Sequence, residues 1–117
     1  MRQTLDVAVM RRALEIVGGQ YLGFAPQHIR QLCRILAHRH QDSYVAALRY
    51  ALLRPAAGGV DTWDAAQALF HGVLHPKRFV PWLDTLAAEG VLAQADVSAM
   101  QDAVLNRCNA RGEWADW

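Results

Sequence analysis

The stretch APQHIRQLCRILAHRHQDSYVAALRYALLR, residues 25–54, decides the fold. It reads as two helices in close succession, Pro26–His40 and Tyr44–Leu53. Pro26 suits a first helical turn, because its missing N–H would have no intrahelical partner there anyway. At helical spacing Ile29, Leu32, Cys33 and Leu36 share one face, while Gln27, Arg30, Gln31, Arg34 and His38 share the other. Asp42 or Ser43 caps the second helix, and Pro55 forbids its continuation. Tyr44, Leu48, Ala51 and Leu52 form its main apolar face, with Tyr50 and Leu53 behind and only Arg49 clearly polar. A helix apolar on nearly every side belongs in the middle of a fold. Tyr44–Leu53 is therefore expected at the centre, with Pro26–His40 covering it and facing outward.

Upstream, Thr4 can cap a helix over Leu5–Val17. Val7, Met10, Ala13, Leu14 and Val17 share its inner face, and Arg11, Arg12 and Glu15 lie away from it. Gly18-Gly19 is expected to end this helix, since glycine takes the left-handed C′ position without steric cost. Tyr21, Leu22 and Phe24 then fold back onto the core. Downstream, Arg54–Val60 is a loop whose Gly58-Gly59 is the best hinge candidate. Asp61 caps a helix over Thr62–Leu74. Pro76 and Pro81 bracket a break, so Lys77–Val80 is expected as a turn or a short 3₁₀ piece. A helix over Pro81–Glu89 stops at Gly90, and Asp96 is expected to cap a last helix, Val97–Asn109. No segment alternates at period two, and no hairpin turn signal appears. The expected fold is all-α, a compact single-domain bundle of about six short helices.

Hydrophobic residues make up 53% of the 117 positions and charged residues 20%, enough to bury a core and too apolar for a disordered chain. No apolar run approaches the roughly 20 residues that cross a bilayer, and the first residues lack a secretory pattern, so a cytoplasmic location is expected. The formal net charge of +1 is unevenly spread. Residues 1–54 hold eight Lys/Arg against three Asp/Glu, and residues 55–117 hold four against eight. Such asymmetry either meets an acidic partner at the basic half or is matched internally between the two halves. The two cysteines, Cys33 and Cys108, belong to no CxxC pattern and read as buried thiols on apolar faces.

Chemistry is sparsely written. Asp64, His71 and His75 share one stripe of a helix and come nearest to a metal motif. The glutamate of HExxH is missing, and polar residues must occupy the solvent side of any amphipathic helix. No metal and no cofactor are expected. Ser43 and Ser98 fit helix starts, neither lies in a GxSxG elbow, and no carboxylate pair marks a cleft. An enzyme is not expected.

The suggestive surface is the stripe of Gln27, Arg30, Gln31, Arg34 and His38. Arginines one turn apart can clamp carboxylates of a protein or follow phosphates along a nucleic acid. As a helix-turn-helix the pair fails, because the second helix is too apolar for a groove. Trp114 and Trp117, in an acidic tail, read either as interface anchors or as plugs folded onto the bundle. These features lead to a small protein-binding module, of the adaptor, inhibitor or immunity type, or an assembly subunit. Its expected partner is another protein with an acidic surface, and no membrane is involved. The alternative is a non-sequence-specific nucleic-acid binder or a small subunit of a nucleoprotein complex, and behind it stands a metal-dependent activity at Asp64, His71 and His75.

Overall fold

The computed structural model describes residues 7–39, 42–53, 66 and 74–114, with the side chains of Val7, Val9 and 49–53 outside the description. It is all-α: five α-helices, one π-helical segment and no strand among the described residues. Helix α1 spans Val7–Leu14 and runs into the π segment Glu15–Tyr21. Helices α2, Pro26–His38, and α3, Ser43–Leu53, follow. After position 74 come α4, Pro76–Ala88, and α5, Gln94–Leu105. The helix expected over Thr62–Leu74 and the loop at 54–60 lie outside the described residues, apart from Ala66 and Leu74, which are both buried.

The expected stop at Gly18-Gly19 does not occur. The chain stays helical through both glycines with a wider turn, and Leu22 N–H reaches Val17 C=O at 3.0 Å. The left-handed residue is Gly23, with φ 77°. Gly18 serves packing instead. A Cβ there would fall 2.9 Å from both Ile29 Cδ1 and Phe24 Cδ2, so only a bare backbone lets the π segment sit this close to α2. At Gly19, one position on, a Cβ would meet nothing within 4 Å.

Helix α2 forms as its sequence implies, with Pro26 in its first turn. Its inner face differs from the expected Ile29, Leu32, Cys33 and Leu36: Ile35 and His28 are buried with Ile29, Leu32 and Leu36, while Cys33 is half-buried. The Asp42 cap also forms, its Oδ1 accepting from Tyr44 N–H at 2.8 Å and Val45 N–H at 3.4 Å. However, α3 is not buried all round. Val45 and Leu48 are inside, Tyr44 is half-buried, and Ala46 and Ala47 are exposed. Alanine counts as apolar in a pattern but hides little area, so exposing it costs little. Among the described residues α4 packs on α5 and α1 on α2, with a smaller contact between α2 and α3.

The break expected between Pro76 and Pro81 is absent, and α4 runs through both prolines. Pro76 occupies the first turn, where no N–H is needed, and His75 caps it by accepting Lys77 N–H at Nδ1, 3.3 Å. Pro81 lies in the second turn, where it removes the bond to Lys77 C=O and leaves the rest of the ladder intact. Burial of Phe79, Trp82, Leu83 and Leu86 holds the helix across that gap. Gly90 ends it as anticipated. Val91 N–H reaches Leu86 C=O at 2.9 Å and Gly90 N–H reaches Ala87 C=O at 3.1 Å, the paired bonds of a Schellman motif around a glycine with φ 74°.

One hydrophobic core joins these elements. Four aromatic rings run through it in sequence. Phe24 stacks on Phe79 with centroids 6.1 Å apart, Phe79 meets Trp82 at 6.1 Å, and Trp82 meets Tyr44 at 4.9 Å. The chain of rings links the connector before α2 to α4 and then to α3.

Candidate partner-binding surface

Helix α2 carries the surface. Its buried face fixes its rotation, which leaves Gln27, Arg30, Arg34 and His38 exposed on the opposite side. Arg30 and Arg34 stand one turn apart, and neither makes a hydrogen bond or ion pair among the described residues. Gln31 is the exception to the expected stripe. It is half-buried, and its Nε2 donates to Asp96 Oδ2 at 3.3 Å. A residue at the edge of a helix face is assigned by its tertiary neighbour, and here that neighbour is α5.

The same contact corrects the reading of Asp96. The residue at the N-cap of α5 is Ala93, which makes no side-chain cap bond, and Asp96 lies inside the first turn. Its carboxylate reaches across to α2, where Oδ1 accepts from His28 Nε2 at 3.0 Å. Since an ionised carboxylate only accepts, Nε2 carries the hydrogen of that bond. His28 is 7% exposed and was missed as a core position. Its spacing of four before Leu32 and seven before Ile35 was the available signal.

These two donors hold the Asp96 carboxyl below its ordinary value of 3.8, His28 first and Gln31 second, against an opposing push from burial. The native state therefore binds this proton less readily than the unfolded chain. Asp96 stabilises the fold above its ordinary value, and that contribution is lost as pH falls through the lowered one. Melting temperature should drop on acidification from about pH 5 toward about pH 3 less steeply in Asp96→Asn than in the wild type. Parallel slopes in thermal melts would show that the His28–Asp96–Gln31 contact contributes nothing to acid sensitivity.

A second contact between basic and acidic halves joins Arg39 Nη2 to Glu89 Oε2 at 2.8 Å. Part of the charge asymmetry is thus matched internally.

Beside the α2 stripe lies a cleft of about 340 Å³. Arg11, Arg12 and Glu15 line it from α1 and the start of the π segment. Gly19, Gln20 and Phe24 follow, with Pro26, Ile29 and Arg30 from α2. Glu15 meets Arg11 Nε at 3.3 Å and Arg12 Nη1 at 3.4 Å, so one carboxylate serves two guanidiniums. Three cations against one anion leave the cleft positive. Its uncharged lining is Gly19, Gln20, the exposed Pro26 and the edges of the buried Phe24 and Ile29. The sequence placed Arg11 and Arg12 away from the α1 core but held no sign that they meet Arg30, because only the α1–α2 packing decides that.

Trp114 is not an exposed anchor. It is 8% exposed, packs edge-on against Tyr21 at 6.2 Å, and forms an isolated bridge with Cys108. A tight loop places it: Asn109 Oδ1 accepts from the N–H groups of Arg111 at 2.8 Å and Glu113 at 3.2 Å. Arg107 lies 4.8 Å over the Tyr21 ring and completes the cluster. Trp117 lies outside the described residues.

Of the metal candidate, Asp64 and His71 lie outside the described residues, while His75 is engaged as the α4 cap. No group of three His, Cys, Asp or Glu side chains that could hold an ion occurs among the described residues. Cys33 and Cys108 are free half-buried thiols, both pushed up by burial, so they are not activated nucleophiles. No helix among the described residues is long and apolar enough to cross a membrane. The chain matches no known protein family, no curated protein and no solved structure.

Proposed function

We propose that the protein is a non-catalytic, cytoplasmic binding module, an adaptor, inhibitor or assembly subunit, whose α2 face receives an acidic surface of another protein. The observation that carries this reading is the contrast among cations of the basic half. Arg11 and Arg12 are paired with Glu15 and Arg39 with Glu89, while Arg30 and Arg34 project outward unpaired among the described residues. Guanidiniums held in one row by a rigid helix are suited to bidentate capture of carboxylates. Two free thiols accord with a reducing compartment. Trp114, buried against Tyr21, has no part in the surface.

The test is reversal of Arg30 and Arg34 to glutamate. Both side chains are exposed, so the helical spectrum and melting temperature should stay close to wild type. Capture of the partner by the immobilised protein should weaken by about 2–5 kcal/mol where the contacts are desolvated. Undiminished capture would sink the reading. Nuclease-sensitive capture, falling steeply with salt as phosphate-bound counterions are released, would replace the protein partner with a nucleic acid.

A further inference from the structure

We infer that the cleft between the π segment and α2 is the specificity pocket of this surface, and that its occupant is one large apolar side chain of the partner, flanked by carboxylates. The inference rests on the proposed acidic-protein reading and adds where and how that partner is gripped. At about 340 Å³ the cleft is at the small end of ligand sites, right for a side chain and small for a cofactor. Pro26, with the edges of Phe24 and Ile29, offers apolar contact, and Arg11, Arg12 and Arg30 supply the charge. Because Glu15 engages the first two, the Arg30 fork is the one left for an incoming carboxylate. Arg30 also belongs to the α2 stripe, so a segment anchored in the cleft can run one turn further to Arg34.

The backbone keeps this space open. Glycine inside a helix costs about 0.5–1 kcal/mol relative to alanine. Gly18 has a packing reason for that cost, since a Cβ would strike Ile29 and Phe24, but Gly19 has none, its Cβ position being empty. Gly19 lines the cleft, so a bulky side chain at this position adds volume at its wall. The segment is also a π-helix, a rare form that concentrates at functional sites.

Carboxylate fits better than phosphate. Guanidiniums take carboxylate and phosphate alike, but the converging backbone N–H groups that favour phosphate are not gathered here. At the α2 start Pro26 has none, and the N–H groups of His28 and Ile29 both go to Ala25 C=O, at 2.9 and 3.2 Å.

The probe is the capped peptide Glu-Asp-Phe-Asp-Glu, titrated into the ¹⁵N-labelled full chain and followed by amide shifts and affinity. Binding should move the amides of Gly19, Gln20 and Arg30. Replacing the probe's phenylalanine by alanine should weaken binding by about tenfold or more, as loss of a buried anchor does. Gly19→Leu should do the same while leaving the melting temperature at or above wild type. The charge-reversed peptide Lys-Lys-Phe-Lys-Lys should not bind. Equal affinity for the phenylalanine and alanine probes, or wild-type affinity in Gly19→Leu, overturns the pocket. If Arg30→Glu/Arg34→Glu still abolishes binding in that case, the wider acidic-partner reading stands alone. Binding indifferent to both the cleft and the arginines overturns the two together. Displacement of the peptide by inorganic phosphate or a short oligonucleotide at lower concentration overturns the carboxylate occupant.

Discussion

Leu48→Asp should leave the protein without a cooperative thermal transition at neutral pH. Leu48 is 1% exposed, on the inner face of α3 beside Val45. An unpaired carboxylate there must either stay ionised in an apolar setting or take up a proton, and each route costs several kcal/mol. A domain of this size has only about 5–15 kcal/mol of stability in all. The leucine packing is lost as well, which alone is worth about 2–5 kcal/mol in Leu→Ala substitutions. Ala47→Asp is the control. It adds the same carboxylate one position away on the exposed side of α3, and its effect should stay within about 0.5 kcal/mol. Urea titration followed by circular dichroism separates the two. A soluble Leu48→Asp protein melting near wild type would show that α3 is dispensable to the core.

Phe79→Ala should cost about 3–5 kcal/mol, the range for deleting a buried aromatic ring. Phe79 is fully buried and sits between Phe24 and Trp82 in the row of rings. Its loss opens a void between the connector that positions α2 and the helix that follows Pro76. Neither neighbour can close that void easily, because Trp82 is also packed against Tyr44. A double-mutant cycle of Phe24→Leu and Phe79→Leu should report a coupling of about 0.5–1.5 kcal/mol from the stacked pair. A midpoint shift worth less than about 1 kcal/mol for Phe79→Ala would mean that the ring row is not a structural tie. Since Phe24 also lines the cleft, Phe79→Ala should lower peptide affinity in proportion to the disorder it introduces there.

Elements governed by a few adjacent residues were legible in the sequence. Pro26 at a helix start, the Asp42 side chain folded onto the next N–H groups, and Gly90 in the left-handed position each act within one turn. The period of Ile29, Leu32 and Leu36 fixed which face of α2 goes inward, and hence that Arg30 and Arg34 look out. Other features turned on what stands opposite. Gly18 read as a stop, yet the helix passes through it, and Ile29 and Phe24 take the space its Cβ would need. Pro81 read as the start of a new helix after a break, yet the helix runs through it, its one missing bond offset by the burial of Phe79, Trp82, Leu83 and Leu86. Asp96 read as a cap and Gln31 as a surface residue, yet they bond to each other because the first turn of α5 comes within reach of α2. The cleft is the clearest case, since Arg11, Gly19 and Arg30 come together only when α1 and α2 dock. Propensity, capping and periodicity act between neighbours in the chain and are written there. Which faces meet depends on the packing of whole helices, and that is decided only in the folded molecule.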